Sequence, residues 1–136
     1  VQINFEGCTV RQAAPNDLAA ANRVCEKVHG HHRGGELSDA IAQGIATVVE
    51  RHGRITGYAA GFGYFGHAVG ETNADMQALI GASSGYQGPA MLVPTRNAEL
   101  LRWMMSVGFR IGHPMTLMTM GLYNEPSGAY LPSVLY

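Results

Sequence analysis

Charge is what this sequence has least of. Only 14% of its 136 residues are Asp, Glu, Lys or Arg, against about a quarter in an ordinary soluble domain. Nine basic and ten acidic side chains nearly cancel and no basic run occurs, so nothing here points to a nucleic-acid binder. Cysteine is equally scarce. Cys8 and Cys25 lie far apart without metal-ligand spacing, so free thiols are expected, with no metal site. Glycine and polar residues interrupt the apolar runs before they reach bilayer length, so no membrane span is expected. No secretory leader pattern is present, which makes the cytoplasm the expected location. A surface this poor in charge implies that a partner covers part of it.

What is present fits one domain over residues 1–136, long enough to bury a core. Residues 1–7 read as an N-terminal arm or edge strand, and residues 124–136 as an apolar C-terminal tail. The stretch from Ala90 to Tyr123 organises the rest, and reads as strand, helix, strand. Ala90 to Val93 is a short apolar run closed by Pro94. Thr95 or Asn97 can cap the following helix, with Glu99 in its first turn. Leu100, Leu101, Met104, Met105 and Val107 recur at helical spacing. Gly108 stands where a left-handed cap is wanted, with Phe109 after it. Met115 to Leu122 is uncharged and apolar, and reads as a strand inside a sheet.

Earlier in the chain, Cys8 to Arg11 reads as a strand. A helix begins at Pro15-Asn16-Asp17, buries Leu18, Ala21, Val24, Cys25 and Val28, and ends near Gly30. HGHHRGG is a loop, and Glu36 to Gln43 a second helix. Ile45–Glu50 and Ile55–Phe65 form a hairpin around Arg51-His52-Gly53-Arg54. The glycines of ITGYAAGFGYF imply bends or a close backbone approach. Gly66 to Gly70 is a short strand, and Asn73 to Ser83 a helix with Asp75 in its first turn.

A strand, an Asn at the head of a helix, and Gly-Phe eleven residues later resemble the end of the GNAT acetyltransferase fold; here they are Asn97 and Gly108-Phe109. The element order resembles GNAT over roughly residues 8–123. HGHHRGGEL, RHGRITGYA, PTRNAELLRWMMSVGFR and GLYNEPSGAYLPSVLY are similar to the C-terminal half of some two-domain GNAT proteins. Gly30 to Arg33 matches that half's Gly-x-x-Arg loop motif. The resemblance implies an α/β (α+β) fold with a mixed, mostly antiparallel central sheet and helices on both faces. It also implies acetyl-CoA as cofactor, lying where two strands splay apart, near Val69 and Leu92. Val69, Gly70, Thr72 and Asn97 are the positions that would hold it.

The sequence departs from that pattern in two places. The pyrophosphate loop reduces to His67-Ala-Val-Gly70-Glu-Thr72, where Glu71 places a negative charge beside the expected phosphates. The usual general-acid Tyr is replaced by Met104, which reads as core. Tyr58, Tyr64, Tyr86 and Tyr123 are the available substitutes. Glu50 and His67 are the candidate bases, and an exposed strand-end carboxylate is the plainer role for Glu50. His29, His31, His32 and Arg33 form the densest polar cluster. It can bind an anionic ligand on the acceptor side, or it is a solvated loop with Arg33 paired to Glu36.

Two functions follow. One is acetyl transfer from acetyl-CoA to a small amine. The other is a non-catalytic GNAT-like module that binds a small anionic ligand or pairs with a partner. The uncharged tail must pack on its own sheet, on a missing N-terminal GNAT domain or on a second copy, and with the low charge content this favours a homodimer.

Overall fold

The computed structural model describes residue 3 and residues 5–134. Its frame is a sheet of five antiparallel strands in the order β1-β2-β3-β4-β5. These are β1 (Thr9–Gln12), β2 (Thr47–Arg51), β3 (Arg54–Ala59), β4 (Ala68–Gly70) and β5 (Ala129–Leu131). Between them run α1 (Leu18–His29), α2 (Gly34–Ala42), α3 (Asn73–Ala82) and α4 (Ala98–Ser106). The fold is α+β, with three layers.

Alternation along the strands builds the layers. Val48, Tyr58 and Val69 point to a core shared with Val24, Cys25 and Val28 of α1 and Leu37 of α2. Their neighbours Val49, Ala59 and Ala68 point the other way, to Met76, Leu79 and Ile80 of α3 and Leu100 and Met104 of α4. Met104 is therefore core. Helix ends follow their signals. Gly30 takes φ 80° and donates its amide to Glu26 O, closing α1. Asn97 Oδ1 accepts from Leu100 N at the start of α4, and Gly108 has φ 104° beyond its end.

The hairpin turn is tight, with positive φ at His52 (51°) and Gly53 (73°), as a two-residue I′ turn requires. A Cβ at Gly57 would meet Val69 O at 2.9 Å, so β3 and β4 approach closely because this residue is glycine.

Asp75 fastens the layers. It is 1% exposed, yet four donors satisfy it. Arg51 Nε reaches Oδ1 at 2.6 Å and Thr56 Oγ1 reaches it at 2.8 Å. Thr72 N and Oγ1 reach Oδ2 at 3.1 and 2.7 Å. Thr72 Oγ1 accepts in turn from Asp75 N, completing a capping box on α3. One carboxylate thus joins β2, β3 and the start of α3.

Three sequence expectations are corrected. Ala90 to Val93 is irregular rather than a strand. Met115 to Leu122 is also irregular, and exposed; its side chains find no layer of this chain to enter. Ile55–Phe65 ends as a strand at Ala59, because Gly61 and Gly63 adopt φ 106° and 140° and turn the chain away. Of the three places open to the tail it takes its own sheet, supplying β5, while Leu135 and Tyr136 fall outside the described residues, as do Val1, Gln2 and Asn4 of the arm. β5 pairs along all of β4, Ala68 with Leu131, Val69 with Tyr130 and Gly70 with Ala129.

Replacing Asp75 with Ala strands Arg51 and Thr56 beside a buried void. Urea unfolding should show a loss of about 3–5 kcal/mol, the usual cost of breaking a buried ion pair from one side. A loss below ~1 kcal/mol would contradict this role.

Candidate functional site

Two regions gather the residues singled out above. The first is a polar seam between α1 and the sheet. Asn22, Cys25 and His29 recur three and four residues apart, on one side of α1. Tyr58 of β3 and His67, one residue ahead of β4, lie on the sheet. His67 Nε2 and His29 Nε2 are 3.2 Å apart, so one nitrogen donates and the other accepts. Burial, helped by the charges of His31 and Arg33, holds the His29 imidazole down to about 4. Burial pushes His67 well below the usual histidine value, with Arg33 adding to the effect. Both rings are neutral at pH 7.

Aromatic rings enclose the pair. His31 stacks on His29 at 5.6 Å between centroids, Tyr130 of β5 meets His29 edge-on at 5.2 Å, and Tyr58 lies 5.9 Å from His67. Burial raises the Tyr58 hydroxyl and the Cys25 thiol beside it, keeping both protonated. Among the described residues, Asn22 Oδ1, Tyr58 Oη and His67 Nδ1 are buried without a hydrogen-bond partner. Orphaned polar atoms cost free energy, and Tyr58 Oη has the Cys25 thiol beside it.

The seam opens at the α1–α2 loop. His31 and His32 are exposed there, while Arg33 is bound to Glu36, Nε to Oε2 at 2.6 Å. The Gly-x-x-Arg stretch thus ends α1 and starts α2. Asn124 Nδ2 donates to His29 O at 2.8 Å, and Ser127 N to Val28 O at 2.8 Å, lashing the segment before β5 over this end of α1.

The second region is a cleft of about 370 Å³ at the start of α3, where Thr72, Asn73, Arg96, Asn97, Glu125 and Tyr130 meet. Asn97 Nδ2 donates to Asn73 Oδ1 at 2.7 Å. The cleft brings Thr72 and Asn97 together, but its charges are already matched. Arg96 pairs with Glu125 at 2.6 Å. Glu71 takes Arg54 at 2.6 and 2.9 Å and Lys27 at 3.3 Å, and Arg54 holds its carboxyl below the usual range. Three backbone amides of the turn are committed too. Glu71 N bonds Thr56 O, Thr72 N bonds Asp75 Oδ2, and Asp75 N bonds Thr72 Oγ1. Val69 and Gly70 are paired with β5. Amides turned inward in this way do not cradle a phosphate.

Glu50 lies in β2, two strands from β4, and is bound to Arg11, whose guanidinium also holds Asp17 at 2.7 and 2.9 Å. It does not join either region. Tyr130 and Asn22 were not singled out by sequence, nor was the row that joins Asn22 to Cys25 and His29. The row was visible as helical spacing; Tyr130 needed the pairing of β4 with β5. No group of three or more His, Cys, Asp and Glu among the described residues could hold a metal ion, and none of their helices is long and apolar enough to cross a membrane.

The five-stranded antiparallel sheet with helices on both faces is an α+β fold. An acetyltransferase of the GNAT family from Bacillus cereus ATCC 10987 is similar over 38% of this chain and 37% of that one, at 23% identity and a TM-score of 0.37. The match therefore spans little more than a third of that protein. No family model matches the chain, and no curated protein does. What chemistry this chain offers is set by its own side chains.

The histidines give a pH signature. Their folded pKa values lie below the unfolded 6.5, so their contribution to stability is whole above pH 6.5. It is lost as pH falls from 6.5 towards 4, where His29 protonates in the folded state too. Unfolding midpoints recorded from pH 7.5 to 4.5 should drop over this window. The drop should shrink in His29→Gln. An equal drop in that variant would show that His29 does not report the seam.

Proposed function

We propose that this chain is a GNAT-like accessory module that does not itself carry acetyl-CoA and that takes a small anionic ligand at the mouth of the histidine seam. The observation that carries this reading is the pairing of β5 along the whole of β4. That edge is where the sequence resemblance places the cofactor, and a hydrogen-bonded strand lies there instead. Committed amides at Glu71, Thr72 and Asp75, the negative Glu71 and Glu125, and Met104 in the core support the same reading. His31, His32 and the neutral pair behind them supply hydrogen bonds for the ligand.

One observation favours the other reading, acetyl transfer to a small amine. The contact between His67 and His29 runs from the start of β4 towards exposed His31. A neutral imidazole pair can accept the proton an amine must lose when its nitrogen attacks a thioester carbonyl. In that case the thiolate would leave with a proton from another group, and β5 would have to yield its place.

Calorimetric titration separates the two. Acetyl-CoA and CoA should give no binding heat up to millimolar concentration. Micromolar binding of either would overturn the accessory reading, and a rate with amines that His67→Ala abolishes would establish the transferase.

A further inference from the structure

After α4 the chain leaves the three layers. Residues 110–123 form no regular element, and they carry Ile111, Met115, Leu117, Met118, Met120 and Leu122 into solvent. Met120 and Leu122 are 101% and 104% exposed, as bare as side chains in an extended peptide. No Asp, Glu, Lys or Arg lies between Arg110 and Glu125. The base of this arm is held by Tyr64, whose hydroxyl donates to Met115 Sδ at 3.7 Å. The adjoining Phe65 is itself 63% exposed, so the apolar surface continues onto the β3–β4 connection.

We infer that the arm is an interface with a second copy of this chain. Area argues for a partner of this size. At these exposures the arm and Phe65 present roughly 1,000 Å² of apolar side chain, more than the ~800 Å² each side gives to a standard interface. A monomer rarely leaves that much contiguous apolar surface to water. Charge argues for the second copy in particular. An isologous contact lays each surface against itself, and like charges would repel there. This stretch has none to repel. Its run of Met, Thr and Leu, with backbone groups that no strand among the described residues pairs, suits antiparallel pairing with its twin across a two-fold axis. The arm meets the histidine seam only at its end, where Tyr123 Oη lies 3.3 Å from Tyr130 Oη, and the inference does not rest on the proposed function.

Sedimentation equilibrium from 1 to 100 µM tests it. The 14.5 kDa chain should sediment as a dimer, and Leu117→Glu with Leu122→Glu should return it to a monomer. The unfolding midpoint of that double variant, measured as a monomer, should stay within a few degrees, because neither side chain packs in its own core. A wild-type monomer at 100 µM would overturn the inference. So would a dimer that the double substitution leaves intact, or an association that never saturates at two copies, which would make the arm merely sticky or a seat for another protein. A monomer that ignores acetyl-CoA would overturn the dimer alone, and a dimer that binds acetyl-CoA would overturn the accessory reading alone.

Discussion

Three residue pairs between β4 and β5 decide what the rest of this molecule can do. Ala68 with Leu131, Val69 with Tyr130 and Gly70 with Ala129 join strands from distant parts of the chain. Through them Tyr130 reaches the ring of His29, and the backbone of β4 finds hydrogen-bond partners on both sides. Leu131 and Ala129 enter the core below α3. The pairing also sets the path of residues 110–128, which must travel from the end of α4 back to this edge. The uncharged segment on that path is left outside the layers.

Asp75 performs the corresponding task on the other side of β4. A buried carboxylate with four donors fixes the turn after β4 in one shape, and buried polar networks are most valuable when wholly satisfied. The consequence for function is local. The amides of Glu71, Thr72 and Asp75 face the protein rather than a ligand, and Glu71 is drawn towards Arg54 and Lys27. The histidine seam is the opposite case, with three polar atoms left over in a buried place. Structure spent on Asp75 gives rigidity, and structure left unsatisfied at Asn22, Tyr58 and His67 marks a place where chemistry remains available.

Local signals made most of the fold as far as α4 legible. The caps at Gly30, Thr72–Asp75 and Asn97, the turn at His52-Gly53, and the apolar stripes of α1 and α4 are each decided within a few residues. The core role of Met104 and the Arg33–Glu36 pair were readable for the same reason. Reading failed where partners are distant. MTLMTMGL has the composition of a strand, but a strand also needs a neighbour, and no spacing rule says whether its own chain provides one. AYL read as an extended tail in need of a surface, and which surface stayed open because its partner, AVG, is brought to it only by folding. The seam was half legible: His29 and His67 were each named, and only the structure brings them to 3.2 Å.

The central claim is that β5 closes the edge of β4, and amide hydrogen exchange measures it residue by residue. Closed pairing predicts that the hydrogen-bonded amides of Val69 and Tyr130's neighbourhood exchange as slowly as those of β2 and β3, through global unfolding. It also predicts that millimolar acetyl-CoA leaves those rates unchanged. Fast exchange across 129–131, or a change confined to β4 and β5 on adding acetyl-CoA, would contradict it and show an edge that opens to a ligand.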